Sequence, residues 1–152
     1  MVFIGVDPGA SGGITFVTNI GVSPTVTPDD ENGVWQLFDT LPRPRTCCVA
    51  VIERVHSMPR DGVASAFKFG VSYGGLRMAL VAAGIPFAAV EPQTWQREFG
   101  LLKLEDESDS KHKTRIGEYA KSTLFPGASI PRPCYDSAVI AEYARRHYPR
   151  GL

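Results

Sequence analysis

The sequence contains few cysteines and no long hydrophobic run. Its 152 residues include three cysteines, and two of these are the adjacent Cys47 and Cys48, so they suit neither a disulfide framework nor the paired spacing of a zinc ribbon. No segment approaches the roughly 18 apolar residues of a membrane span. The amino terminus, MVFIGVDPG, lacks the basic flank and the long apolar stretch of a signal peptide. We therefore expect no membrane association and a reducing compartment, either the cytosol or an organelle stroma.

An excess of charge of one sign is also absent. The 16 Lys and Arg residues balance 16 Asp and Glu residues, which argues against a uniformly basic nucleic-acid-binding surface. The distribution is uneven, however, because residues 111–152 carry eight basic and three acidic side chains behind a short acidic run at 105–109. This basic end could bind a phosphate-bearing partner, although ordinary surface patchiness would look the same.

The amino-terminal segment predicts a β-hairpin. The apolar residues 2–6 form a strand, and a glycine-rich turn leads into residues 14–18, which are all of types common in strands. Residues 22–27 could add a third strand. Within the polar stretch that follows, residues 34–38 are compatible with either a strand or one helical turn.

The rest of the chain alternates helices and strands. Residues 48–52 are apolar on both faces, as in a central strand that is covered on both sides. The patterns predict helices at 65–83, 92–99, 111–124 and 135–147, a strand at 85–90 and a charged, mobile loop at 103–110. This order indicates a mixed sheet with helices on both faces.

Two acidic residues follow predicted strands at the point where each strand ends. Asp7 comes directly after the first strand, and Glu53 comes directly after the central one. In open α/β sheets, sites form beyond the carboxyl ends of the strands, so the two acids are candidates for one cluster. Both follow apolar runs, where a carboxylate is costly unless it binds a cation or accepts hydrogen bonds.

A third acid, Asp136, lies in the first turn of the last predicted helix. Its helical neighbours Val139, Ile140 and Tyr143 are apolar, so Asp136 should face the sheet, whereas Glu142 should point away from it. Taken alone, Asp136 could equally be a helix cap or a partner of the helix dipole. The three acids together suit Mg²⁺, which binds a few carboxylates and leaves positions for water and substrate phosphate.

The turn DPGASGG after the first strand allows another interpretation. Its backbone N–H groups could hold a phosphate, as in the sugar-kinase and actin class. It is not a Walker A loop, because the Gly-Lys-Ser/Thr ending is missing. A kinase of that class would also need a second domain, which we do not expect in a chain of this length.

Five segments resemble, in order, the RuvC-like Holliday junction resolvases of the ribonuclease H-like superfamily. They are IGVDPGASGGI, VIERVHSMPRDGVASAFKFGVSYGGL, AAVEPQTWQREFG, KHKTRIGEYAKSTLFP and YDSAVIAEYA. The fourth segment is most similar to the chloroplast and phage branch, and residues 22–46 match poorly. The resemblance implies an α/β, ribonuclease H-like mixed central sheet with helices on both faces, in a single nuclease domain over residues 1–152.

The resemblance also implies a catalytic site. Asp7, Glu53 and Asp136 would be the ligands of Mg²⁺, with Mn²⁺ able to substitute, and Lys113 would help to neutralise charge near the cleaved phosphate. The family usually has a fourth ligand three or four positions before the last acid. This chain has a proline and an arginine there, Pro133 and Arg132. Two other acids, Asp61 and Asp109, are weak candidates to replace it.

A further set of residues would contact DNA by the same resemblance. The basic side chains are Arg60, Lys68, Lys111, Lys113, Arg115, Lys121 and Arg132, and the aromatic ones are Phe67 and Phe69. The basic helix at 111–124 could instead be only a solvated face. Phe69 fits the apolar stripe of its helix and should be in the core, whereas Phe67 lies off that stripe and could stack on an unpaired base. Trp95 is predicted to belong to the core or to a dimer interface.

The predicted function is a metal-dependent endonuclease that resolves four-way DNA junctions by paired symmetric nicks, leaving 5′-phosphate and 3′-hydroxyl ends. The implied assembly is a homodimer, whose two-fold symmetry matches that of the junction. Two alternatives remain open. One is a junction-binding protein with weak or no cleavage, because a family ligand is missing, and the other is a ribonuclease H-like nuclease for another branched or hybrid substrate. The expected location is the cytoplasm, for a bacterial or phage-encoded protein, more than an organelle stroma.

Overall fold

The first apolar run forms the central strand of a five-stranded sheet. A computed structural model describes residues 1–9, 11–54 and 62–152. The strands are β1 (Val2–Val6), β2 (Gly13–Val17), β3 (Val22–Val26), β4 (Cys48–Glu53) and β5 (Phe87–Val90). Their order across the sheet is β3-β2-β1-β4-β5. The predicted hairpin is confirmed, since β1, β2 and β3 pair antiparallel, whereas β1, β4 and β5 are parallel.

Over the described ranges, five α-helices connect and cover the sheet. They are α1 (Glu31–Asp39), α2 (Val63–Ala82), α3 (Pro92–Glu98), α4 (Asp109–Tyr119) and α5 (Tyr135–His147). A π-helical turn (Ala120–Leu124) extends α4, and short 3₁₀ turns precede β4 and α5. Among the residues with described structure, no helix is both long and apolar enough to cross a membrane.

The sheet has a hydrophobic core on each face. On β4, Val49 and Val51 belong to the core beneath α5, whereas Ala50 and Ile52 face α1 and α2. All four side chains are fully buried. This confirms the prediction of an interior strand and of a mixed α/β sheet with helices on both faces.

Residues 34–38 are helical. They belong to α1, which begins after Asp30, whose side chain accepts a hydrogen bond from the backbone N–H of Gly33 at 2.7 Å. Val34 and Phe38, four positions apart, are both buried against the sheet. Side-chain capping and helical spacing of the two apolar residues therefore explain why a helix forms here and not a strand.

The charged segment before α4 packs against that helix. Glu107 accepts hydrogen bonds from Arg115 Nε at 2.9 Å and from Arg115 Nη2 at 2.8 Å, and Lys103 Nζ lies 2.5 Å from Asp109 Oδ1. The pairing with Arg115 lowers the pKa of Glu107 to about 2. Residues 103–108 are a loop, as the sequence predicts, and these contacts attach it to α4. The helix α4 begins at Asp109, two residues earlier than predicted.

Glu142, which the sequence places away from the sheet-facing stripe of α5, is nevertheless buried. Its side chain is only 3 % exposed. Arg145 and Arg146 lie one turn later on α5 and donate to the Glu142 carboxylate at 2.6 Å and 3.1 Å. The two guanidinium groups cover and pair the carboxylate, which makes its burial tolerable.

Candidate metal and nuclease site

Asp7 is held at the carboxyl end of β1 by the turn that follows it. Its Oδ1 accepts a hydrogen bond from the Gly9 N–H at 3.0 Å, and its backbone N–H donates to Gly13 O at 3.0 Å. A Cβ on Gly12 would lie 2.1 Å from Asp7 O, so the turn can close this tightly only with glycine there. The Asp7 side chain is 10 % exposed. The turn therefore fixes one carboxylate oxygen, Oδ1, and its described residues make no hydrogen bond to Oδ2.

Helix α5 brings Asp136 to Asp7 because it lies directly on β1. A Cβ on Gly5 would be 2.0 Å from Ser137 O and 2.3 Å from Ala141 N, so the helix approaches the strand as closely as glycine permits. A buried hydrogen bond of 2.8 Å between Thr15 Oγ1 and Ser137 Oγ ties the first turn of α5 to β2. The residue before Ser137 is thus held over the end of β1.

Lys113 joins the two aspartates. From α4, its Nζ lies 2.5 Å from Asp136 Oδ2 and 3.3 Å from Asp7 Oδ2. Burial alone would lower the pKa of Lys113, but the neighbouring charges of Asp136 and Asp7 raise it above its usual value. The ammonium group therefore stays charged and is shared by two carboxylates.

Glu53 reaches the same edge of the sheet from β4. Because β4 runs parallel to β1, with Ile52 opposite Val6, the residues that follow both strands emerge side by side. The Glu53 Oε2 accepts a hydrogen bond of 2.7 Å from the indole Nε1 of Trp95. Burial and the charge of Asp7 raise the pKa of Glu53 to about 8, although the Trp95 hydrogen bond acts in the opposite direction.

The donor chemistry of this cluster fits a hard divalent cation. Asp136 Oδ1 is buried without a hydrogen-bond partner, and burial together with the Asp7 charge raises the pKa of Asp136. Carboxylate oxygens are the ligands that Mg²⁺ prefers, and a cation would relieve both the unpaired oxygen and the repulsion among the acids. Within the described ranges, no group of three or more His, Cys, Asp or Glu side chains is already spaced to hold a metal, and the Lys113 ammonium lies between two of the acids.

The positions where the family usually has its fourth ligand hold Arg132 and Pro133, which cannot bind a cation. Arg132 and Pro133 lie in the 3₁₀ turn before α5, and the Arg132 guanidinium donates to Thr114 Oγ1 at 3.0 Å and Ser110 Oγ at 3.1 Å. Asp109, a weak candidate, pairs with Lys103 on the surface, where its side chain is 95 % exposed. The other weak candidate, Asp61, lies outside the described residues.

The basic residues predicted to contact DNA on and beside α4 differ in exposure and in their hydrogen-bond partners. Lys111 is exposed in the first turn of α4, and Arg132 is held beside that turn through Ser110 and Thr114. Lys121 donates to Tyr135 Oη at 3.2 Å, and its Nζ lies 5.0 Å from the centre of the Tyr135 ring. Arg115 is already bound by the Glu107 carboxylate. Lys111, Lys113 and Arg132 therefore form a cationic group around the start of α4.

The predicted contacts on α2 differ in exposure. Phe67 is 72 % exposed and Lys68 is exposed, whereas Phe69 is half-buried. The prediction that Phe67 is the exposed ring is confirmed, whereas the prediction that Phe69 belongs to the core is not, because Phe69 is only half-buried. Arg60 lies outside the described residues.

The sequence analysis missed one partner in the cluster. Trp95 is predicted to lie in the core or at a dimer interface, and it is in the core. Its indole N–H also donates a hydrogen bond to Glu53, a candidate metal ligand. The signal that could have found it is the parallel strand order, which places the start of the helix after β5 next to the end of β4.

The fold is similar to that of a known DNA-junction enzyme. A solved structure of Thermus thermophilus RuvC in complex with Holliday junction substrate matches with a TM-score of 0.64 at 18% sequence identity, over 97% of this chain and 96% of that one. A second Thermus thermophilus RuvC structure matches with a TM-score of 0.58 at 19% identity, over 93% of this chain and 91% of that one. The chain has a RuvC-like fold. No protein-family profile and no curated protein matches the sequence, so the likeness rests on three-dimensional arrangement.

This likeness confirms the predicted ribonuclease H-like fold class. In this chain the site depends on the position of β1, which pairs antiparallel with β2 and parallel with β4. The resemblance to the chloroplast and phage branch stays a prediction.

Proposed function

We propose that this chain is a metal-dependent, structure-selective endonuclease that resolves four-way DNA junctions by paired nicks. The observation that carries the proposal is the convergence of three acids from distant parts of the chain at one edge of the sheet. Lys113 contacts Asp7 and Asp136, and the negative charge of Asp7 contributes to the raised pKa of Glu53. In this proposal Asp7, Glu53 and Asp136 hold Mg²⁺, and Mn²⁺ can substitute.

Bound cations would lower the pKa of the attacking water and stabilise the leaving oxygen, giving 5′-phosphate and 3′-hydroxyl ends. The chain's own residues supply positioning. The turn at Gly9 orients Asp7, and the close contact of α5 with β1 orients Asp136. Lys113 holds these two carboxylates together against their mutual repulsion and presents a positive charge where a phosphate would enter.

The DNA backbone is proposed to bind along the cationic group around the start of α4. Lys111 and Arg132 are exposed there, and Lys113 connects that surface to the acids. Phosphate contacts of this kind position a nucleic acid and carry no sequence information. The exposed ring of Phe67 is proposed to stack on an unpaired base at the junction centre, with Lys68 beside it.

A homodimer is proposed to form through α2. Three apolar side chains follow one stripe of the helix at helical spacing, namely Val71 (50 % exposed), Met78 (61 %) and Val81 (56 %). Gly74 lies in the same stripe with open space over its Cα, which would allow another helix to approach closely. We assign this face to a second copy, because a two-fold dimer would present two sites to a two-fold junction.

A junction-binding protein with weak or no cleavage is the second candidate. It is favoured by Arg132 and Pro133 at the positions of the usual fourth ligand, and by the Lys113 ammonium between Asp7 and Asp136. The first feature removes a metal ligand, and the second places a positive charge where a cation would bind. Such a protein would still bind junctions through the cationic group.

A cleavage assay on a labelled four-way junction with Mg²⁺ or Mn²⁺ separates the two candidates. We expect symmetric nicks with 5′-phosphate ends from the wild-type chain. The cleavage rate of Asp7→Asn should fall by more than about a hundredfold, because removing a metal ligand should reduce activity more than the roughly 10- to 100-fold typical of removing a ligand's hydrogen-bond partner. Asp109→Asn makes the same chemical change at an exposed surface acid and should cut normally. Tight binding without nicks at saturating metal would favour the second candidate. Preferential cutting of a flap or an RNA–DNA hybrid in competition would contradict junction selectivity.

A further inference from the structure

Trp95 is fully buried, yet its polar atom is directed at the acidic cluster. The side chain is in the core with Val51 and Val90, and its exposure is 0 %. An indole has one polar group, the Nε1–H, and this group can only donate. It donates to Glu53 Oε2 at 2.7 Å, a short distance for a hydrogen bond from nitrogen.

The backbone brings these two residues together. Glu53 pairs with Val90 in the parallel register of β4 and β5, and α3 begins at Pro92, directly after β5. The helix therefore starts beside the end of β4, and its first turn ends at Trp95. The indole is packed on its other sides by core residues, so its N–H direction is fixed by the fold and not by a flexible side chain.

The partner of Glu53 differs in kind from that of the two aspartates. Asp7 and Asp136 share the positively charged Lys113, whereas Glu53 is bound by a neutral donor. A neutral hydrogen bond stabilises a carboxylate and restricts its rotation but leaves its negative charge uncompensated. When Glu53 is ionised, its negative charge consequently has no ion-pair partner among the described residues, while one of its oxygens is held in place.

We infer that Trp95 is the positioning residue for Glu53: its N–H holds the carboxylate toward the acid cluster without competing charge, and so raises the affinity of the cluster for a divalent cation. This inference rests on the cation site of the proposed function. It adds that an apparently structural core tryptophan acts on the site through a single hydrogen bond. Hydrogen-bond partners of this kind typically change metal affinity by about 10- to 100-fold.

The test is Mn²⁺ binding to the full chain, measured by titration calorimetry. Trp95→Phe removes the N–H and keeps an aromatic ring, and we expect Mn²⁺ to bind at least about tenfold more weakly. Replacement of Trp95 by its benzothiophene analogue, which has sulfur in place of N–H in a ring of the same shape, should weaken binding similarly without opening a cavity. Phe99→Leu shrinks a buried ring in the same core without touching Glu53 and should bind Mn²⁺ as the wild type does.

A spectroscopic signature distinguishes positioning from a packing role. The chain has two tryptophans, so Trp35→Phe leaves Trp95 as the only one. In that variant, Mg²⁺ should change the Trp95 fluorescence emission, and the added substitution Glu53→Gln should abolish the change. An emission spectrum that stays the same while Mg²⁺ binds would overturn the inference.

The outcomes separate this inference from the proposal on which it rests. A wild-type chain that binds no Mn²⁺ would overturn both the cation site and the role of Trp95. A wild-type chain that binds Mn²⁺, with both Trp95 variants folded and binding equally well, would overturn the role of Trp95 alone and leave the cation site intact.

Discussion

At the scale of single residues, Lys113 governs the charge of the cluster in the absence of a cation. Its ammonium contacts Asp136 and Asp7, and its side chain is only 24 % exposed. Removing one partner of a buried ion pair is far more costly than replacing the whole pair, because the remaining charges lose their compensation. The residue therefore combines a stabilising role with the proposed role at the phosphate.

Lys113→Met should destabilise the metal-free protein by about 3 kcal/mol at neutral pH, since two carboxylates lose their cation. Added Mg²⁺ should recover much of this loss, because the ion can take the place of the ammonium. Urea denaturation with chelator and with Mg²⁺ measures both effects. Lys111→Met, at an exposed position of the same helix, should change stability by less than about 0.5 kcal/mol. Equal stability of the two variants would contradict the pairing.

Glu53 makes the stability of the metal-free protein depend on pH. Its pKa is about 8, above the ordinary value of 4.5, so the folded protein binds this proton more tightly than the unfolded chain does. Protonation of Glu53 therefore stabilises the folded state. This stabilisation is fully present below pH 4.5 and is lost as the pH rises to 8. Glu53→Gln should therefore be more stable than the wild type above pH 8 and equal to it near pH 4.

Denaturation curves with chelator at several pH values would measure this difference. The exposed Glu118 offers a matched control, since Glu118→Gln should follow the wild-type pH dependence. Parallel curves for wild type and Glu53→Gln between pH 5 and 9 would show that Glu53 is not the group responsible.

At the scale of elements, the contact of α5 with β1 determines where Asp136 lies. Gly5→Ala should cost at least about 2 kcal/mol, because the added methyl group would meet the α5 backbone and force the helix away from the strand. Gly75→Ala, in the interior of α2 with open space around it, should instead stabilise by about 0.5–1 kcal/mol. Thermal unfolding of the two variants tests the difference, and a neutral Gly5→Ala would contradict the close approach.

Helix α4 should determine the salt dependence of junction binding. Lys111→Ala should weaken binding and reduce the slope of log affinity against log salt by about 0.9, the value for one lost phosphate contact. Arg115→Ala removes a cation that Glu107 already compensates, so it should change the slope less. Binding titrations on a four-way junction between low and moderate salt measure both slopes. An unchanged slope for Lys111→Ala would remove that residue from the proposed DNA surface.

At the scale of the whole molecule, the apolar stripe of α2 is proposed to form the dimer interface. Met78→Glu should convert a dimer to a monomer in sedimentation velocity, because a carboxylate in the apolar centre of the interface would be desolvated without a partner. Gln93→Glu adds the same charge on the exposed surface of α3 and should remain dimeric. A wild-type chain that is monomeric at micromolar concentration would exclude this interface.

The sequence alone predicted most of the elements and singled out the three candidate acids. Apolar runs predict β1 and β4, and an acid directly after each strand is visible without any structure, as is the inward phase of Asp136 on α5. These signals are local, because they depend on periodicity and on residue type within one segment. The burial of Glu142 was not predictable in this way, since it depends on how two arginines fold back over it.

Only the tertiary structure decided which side chains meet. Lys113 contacts Asp7 across 106 positions of sequence, and Trp95 contacts Glu53 across 42, and no local pattern encodes either pairing. Both follow from the parallel order of β1, β4 and β5 and from glycine at the contact of α5 with β1. The physical reason is that the burial of apolar side chains drives the packing of helices and strands against each other. The apolar pattern is visible within single segments of the sequence. The positions of the polar side chains follow from the packing, and these side chains contribute little to it.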